Sequence, residues 1–360
     1  MLSSFRMRAF SALMLTAFAL SACAETTSLP TTLEPVEMQG DIAAQQAAFD
    51  TPATNSFTQM GYEIDFALAS MGGVAVNLPM QMLRDGAQRP VLQQRERIVA
   101  MLEGETTTAS AIPLSALGKT FVWNATLDEY EISDRTGAPS NGVRFVLYEY
   151  DFETFSFAEP LVEVGYAQMS RSGSSATASV FNGSTKVVEY TVTIGGTANF
   201  PTVALTGFAG TGANLTNFNL AFGVSASTGN ITTTWRTDMP SRGLTTRVAM
   251  AIGETSMTFS AVIRRGVRKV EMTGTFSGFS DPESMGTATL NVKVGDKLFA
   301  RLNIGLNGVT ITDPDGNPLT AEDAETLERI FEWFENSMSA PDVLLAPMFT
   351  LLDFDVAGPV

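Results

Sequence analysis

From Gly118 to about Ile311, apolar and polar side chains alternate in segments of about eight to eleven residues, separated by short turns rich in Gly, Asn and Asp. The period is that of a β-strand. Phe218, Leu220, Phe222 and Val224 fall on one face, as do Val248, Met250 and Ile252, then Met257, Phe259, Ala261 and Ile263. Phe121, Trp123, Ala125 and Leu127 open the pattern, and Val188, Tyr190, Val192 and Ile194 carry it past the Asn182-Gly183 hairpin signal. Val143 to Phe152 is apolar on both faces, which predicts a strand covered from two sides. Thr and Ser fill many alternate positions, tolerating water while keeping β propensity. About twelve or thirteen strands are expected, joined by loops short enough to link antiparallel neighbours.

The flanks read differently. Asp41 begins a run of helix formers stopped by Pro52. Phe57, Met60, Ile64, Leu68 and Met71 recur at spacings of three and four, and a third helical piece spans Val91 to Leu102. The first two carry Asp41, Asp50, Glu63 and Asp65 and no basic residue, so they are expected to pack on the protein's own sheet and not on a membrane. Near the C-terminus, Thr320 is placed to cap a helix whose Leu327, Ile330, Phe331, Phe334 and Met338 form an apolar stripe. Val343 to Leu352 is apolar but too short to span a bilayer.

The expected fold is mainly β with added helices (α+β). It is a large curled antiparallel β-meander, half-barrel or barrel-like, covered by N-terminal helices and one C-terminal amphipathic helix. A sheet so wide must curl, split or close. In architecture alone, and through no residue motif, it is similar to the unclosed-barrel lipid and lipoprotein carriers of bacterial envelopes.

The N-terminus supplies an address. Arg6 and Arg8 precede an uncharged run from Ala9 to Leu20, the layout of an export signal. At about 12 residues the run is too short for a transmembrane helix. Leu20-Ser21-Ala22-Cys23 resembles the bacterial lipobox, in which the thiol is acylated and the chain is cut before it. Ala24 follows the Cys where an Asp commonly retains lipoproteins at the inner membrane, so outer-membrane residence is expected, facing periplasm or surface. The expected divisions are a signal peptide over 1–22, a lipidated Cys23 and Thr/Pro-rich tether over 23–40, a helical cover over 41–110, the sheet over 118–312 and a helix with apolar tail over 313–360. Residues 41–360 are read as one folded unit.

Composition closes several chemistries. The 360-residue chain contains no His and one Cys, which excludes His-based catalysis, His-ligated metals and any intramolecular disulfide. Its formal net charge of −16 argues against nucleic acid and anionic membrane faces as partners unless divalent cations bridge them. Gly118-Lys119-Thr120 imitates the end of a phosphate loop, but its leading Gly falls on Pro113, which predicts a strand entry. Asp313-Pro314-Asp315-Gly316-Asn317 resembles the start of a calcium loop and then fails at Pro318 and Ala324, which predicts a plain turn. Ser184-Thr185-Lys186 has no partner motif and reads as a solvated hairpin. Carboxylates such as Asp128, Glu129, Glu131 and Asp134, or Glu149, Asp151 and Glu153, are the only enzymatic machinery left, and surface strand ends explain them as well. No catalytic residue, metal or cofactor is assigned.

The resulting expectation is a lipoprotein anchored through Cys23 that binds a lipid or other hydrophobic small molecule, with Phe218, Phe222, Met250, Met257, Phe259, Phe331 and Phe334 as candidate apolar lining. The alternative is a non-catalytic envelope lipoprotein with a filled core and a protein partner.

Overall fold

The computed structural model describes residues 35–69, 112, 114–151, 156–173, 175–197, 200–225, 227–253, 255–277, 287–305 and 308–352. The expected signal peptide, Cys23, the tether up to residue 34 and the helical piece from Val91 to Leu102 lie outside them.

The alternating segments form strands in chain order: β1 (Thr120–Asn124), β2 (Glu129–Ser133), β3 (Gly142–Tyr148), β4 (Tyr150–Asp151), β5 (Ser156–Phe157), β6 (Glu163–Ser172), β7 (Ser175–Asn182), β8 (Thr185–Thr197) and β9 (Phe200–Ala209). They continue as β10 (Thr216–Val224), β11 (Ile231–Met239), β12 (Leu244–Ile252), β13 (Ser256–Arg265), β14 (Arg268–Ser277), β15 (Thr287–Val294), β16 (Lys297–Gly305) and β17 (Gly308–Thr312). All but β4 and β5, which pair with each other, belong to one 15-stranded sheet. From β6 to β17 each strand pairs with its neighbour in sequence. Short turns therefore set the registers, as the Gly-rich punctuation predicts.

The β1 end departs from a pure meander. What reads as one strand through Leu127 breaks at Asn124, whose Oδ1 accepts the Thr126 and Leu127 N–H groups, and Asp128 turns the chain with φ of 57°. The hairpin β1–β2 results. β3 then returns beside β1 in parallel, with Thr120 opposite Arg144 and Phe121 opposite Phe145, so the sheet is mixed and not wholly antiparallel. The connection from Asp134 to Asn141 makes the crossover possible because it skips one strand. Alternation of side chains is the same in parallel and antiparallel pairs and gives no warning of it. β2 and β17 stand at opposite ends of the strand order and do not pair with each other, so the sheet is open and not a closed barrel.

Among the described residues, three α-helices accompany the sheet: α1 (Pro35–Phe49), α2 (Pro52–Ala69) and α3 (Ala321–Leu352). α1 starts earlier than the expected boundary at Asp41, because Met38 and Ile42, one turn apart, are both buried and Pro35 is tolerated at a first helical position. Thr51 and Thr54 tie the α1–α2 corner, their hydroxyls meeting at 2.9 Å. α2 lies against β2, β3, β6 and β7, where Ser56 Oγ accepts the Tyr148 N–H at 3.1 Å. α1 meets the next strands through Phe49 on Phe218, ring centroids 5.8 Å apart. α3 packs mainly on α1 and α2. Its start is a reciprocal cap, with Thr320 Oγ1 donating to Asp323 at 2.7 Å and accepting the Asp323 N–H at 3.1 Å. Buried Leu327, Ile330 and Phe334 match its expected stripe, and Trp333, also buried, widens it.

Candidate ligand-binding site

The antiparallel registers line the apolar positions up into rows across the sheet. Phe222, Thr233, Met250, Phe259, Gly274, Leu290, Leu302 and Ile311 are successive cross-strand partners from β10 to β17. One step along the strands, Val224, Ile231, Ile252, Met257, Phe276, Ala288, Ile304 and Val309 form the next row. The sheet thus brings Phe218, Phe222, Met250, Met257 and Phe259 to one face. Phe331 and Phe334 sit on α3, whose main contacts are the other helices and β7. Phe334 is buried and Phe331 half-buried in the same hydrophobic cluster.

Burial along this face is uneven. Toward α1, Phe218, Ala261, Ile263 and Val270 are between 0% and 4% exposed. At the opposite strand ends, Phe222, Met250, Ile252, Met257, Phe259 and Phe276 are only half-buried. Gly274 lies inside that end. A Cβ there would run into the Leu290 side chain and, at 2.8 Å, the Thr289 carbonyl, so Leu290 occupies the space a side chain would take. The sequence pattern identifies the face but not this gradient, because coverage depends on elements remote in the chain.

The α1 end is polar and tightly held. Asp41, nearly buried, accepts from Arg242 Nη1 at 3.0 Å and from Arg265 Nε. Glu37 accepts from Arg265 and from Arg268 Nη1 at 3.3 Å. The Asp41 hydrogen bond, reinforced by Glu37, raises the basicity of Arg265 further. Deeper, Gln45 Nε2 donates to Thr237 Oγ1 at 2.7 Å, while Gln45 Oε1, Thr246 Oγ1 and Trp235 Nε1 are buried with no hydrogen-bond partner among the described residues. Trp235, Thr237 and Thr246, absent from the expected lining, alternate inward on β11 and β12 like their apolar neighbours, and α1 brings Gln45 to them.

The other motifs resolve plainly. Gly118, with φ of 73°, turns into β1. Lys186 pairs with Glu189 at the start of β8. Asp313 Oδ1 accepts the Asp315 and Asn317 N–H groups at 2.9 and 2.8 Å, making the turn its sequence predicts. Glu131 accepts from Asn124 Nδ2 at 3.0 Å on an exposed strand end. Among the described residues no three Asp, Glu, Cys or His side chains gather as metal ligands, and no helix is long and apolar enough to cross a membrane.

Fold and site together define an open, mainly β protein with a continuous apolar face. No protein-family model, curated protein or solved structure matches the chain.

Proposed function

We propose that the chain is an exported lipoprotein, acylated at Cys23 and held at the outer membrane, whose curled sheet and helical cover form a half-barrel that takes a lipid or other hydrophobic ligand. The observation that carries this reading is the half-buried strip of Phe222, Met250, Met257 and Phe259 at one end of an otherwise covered apolar face. Phe218, Phe331 and Phe334 pack the interior of that enclosure. The helices bear on different parts of the sheet: an 18-residue helix reaches about 27 Å, while fifteen strands extend roughly 65 Å. Among the described helices coverage is therefore shared, none of them spanning the whole sheet.

The test is to purify the chain from membranes and analyse its organic extract by mass spectrometry. One bound apolar molecule per chain is expected, reduced by Met257→Asp with Phe259→Asp while the fold is retained. The full burial of Val292, Ala300 and Leu302 favours the second reading, an envelope lipoprotein with a filled core and a protein partner. Absence of any extractable lipid together with one reproducible cross-linked protein would select it. Palmitate labelling that persists in Cys23→Ala would remove the anchor from both readings.

A further inference from the structure

Net charge conceals a basic pole. Arg236, Arg247, Arg264, Lys269, Lys293 and Lys297 come one each from six strands and from positions up to 61 residues apart, yet the registers collect them at the α1 end of β11–β16. The first five alternate with buried Trp235, Val248, Ile263, Val270 and Val292, so they stand on the outer face. Two cross-strand pairs there are like-charged: Arg236 lies directly opposite Arg247, and Arg264 opposite Lys269. Such pairs destabilise a sheet. On the inner face the corresponding pair, Arg265 opposite Arg268, is bridged by Glu37. On the outer face, Asp238 holds Arg236, and Glu271 with Asp296 holds Lys269. Arg247 and Arg264 have no carboxylate partner among the described residues and are exposed.

At the tip of the β13–β14 hairpin, between Arg264-Arg265 and Arg268-Lys269, Gly266 turns the chain and Val267 is 101% exposed. An apolar side chain projecting from a ring of cations fits a phospholipid surface, where the cations meet phosphates and the tip enters the headgroup layer. Nucleic acid and acidic proteins offer phosphates or carboxylates but no layer for Val267 to enter. α1, latched to this same pole through Glu37 and Asp41, begins at Pro35, 12 residues after Cys23 in sequence, so an anchor at Cys23 would keep the pole at the membrane. We infer that the β12–β14 pole carrying Arg247, Arg264 and Val267 is a docking face for anionic phospholipid membranes, distinct from the apolar inner face. The anchor lends it support, but the face acts without acylation.

The experiment uses the chain from Ala24 onward, which cannot be acylated at Cys23 and retains every described element. Flotation with phosphatidylglycerol-containing vesicles is compared with phosphatidylcholine vesicles and with a DNA duplex at matched charge. Preferential binding to the anionic vesicles is expected, weakened about thirtyfold or more by Arg247→Glu with Arg264→Glu and more modestly by Val267→Ser, with melting curves unchanged. Because Arg247 and Arg264 point to solvent, Arg247→Gln with Arg264→Gln gives a second, milder pair should reversal perturb folding, and its loss must follow the same direction. Equal binding to neutral vesicles, retention by both double variants, or DNA binding as tight as vesicle binding and indifferent to Val267→Ser would overturn the assignment.

Discussion

Asp41 shows how far a single residue can be read from sequence. Its place in a helix is legible, but its partners Arg242 and Arg265 lie 201 and 224 residues away, and only the sheet's registers bring them to it. Gln45 and Thr237, 192 residues apart, are a similar case. Thr237→Val leaves a second buried polar group of Gln45 unpaired, and a loss of about 1–3 kcal/mol is expected in urea unfolding. Adding Gln45→Leu, which removes the partner too, should recover most of that loss; additive losses would show that the hydrogen bond is not the cause. At Glu189, the hydrogen bond from Lys186, aided by Ser179 and opposed by partial burial, holds the carboxyl below its ordinary value. A depressed folded value contributes stability at pH above the ordinary carboxylate range, lost as pH falls through the folded value. An NMR titration should show the Glu189 midpoint rising in Lys186→Ala; an unchanged midpoint would assign the shift elsewhere.

At the scale of elements, alternation predicts the strands from β6 to β17 and their common apolar face, because adjacent hairpins leave little choice of partner. It does not predict the parallel return of β3, nor where the backbone must come close. Gly207 is such a place: it stands between Tyr190 and Phe218 as their shared cross-strand neighbour, and those rings meet 6.2 Å apart. A Cβ on Gly207 would collide with the β8 backbone and, at 2.7 Å, the Tyr190 Cα. Gly207→Ala should therefore cost about 3 kcal/mol or more, since neither a strand nor a buried ring can yield. Gly195 is the control within the same pair of strands. Its added Cβ would meet only Thr202 Oγ1 at 3.4 Å, and Gly195→Ala should change stability by less than about 0.5 kcal/mol. Equal losses at the two sites would mean that strand entropy, not close approach, decides them.

For the whole molecule, an open sheet and a closed barrel share one alternation, so sequence leaves closure undecided; edge pairing decides it. The basic pole escapes total charge for a related reason, since a sum carries no positions. Cooperativity belongs to this scale as well. The buried core is one hydrophobic cluster running from Met38 in α1 through the sheet to Phe334 in α3, so helices and sheet should unfold together. Three tryptophans are placed to test this. Trp123 packs edge-on to Phe157 at 4.7 Å near the β2 edge, Trp235 stacks on Phe218 at 6.0 Å beneath α1, and Trp333 is buried on α3. Variants retaining one tryptophan each, with Phe at the other two positions, should show fluorescence transitions in urea that coincide with loss of β circular dichroism in the same sample. Each variant is its own reference, so the cost of the substitutions does not enter. If the Trp333 signal is lost before the sheet signal, α3 detaches as a separate unit and the shared core fails at its helical side; if only Trp123 leads, the mixed β1–β3 edge unfolds first while the meander persists.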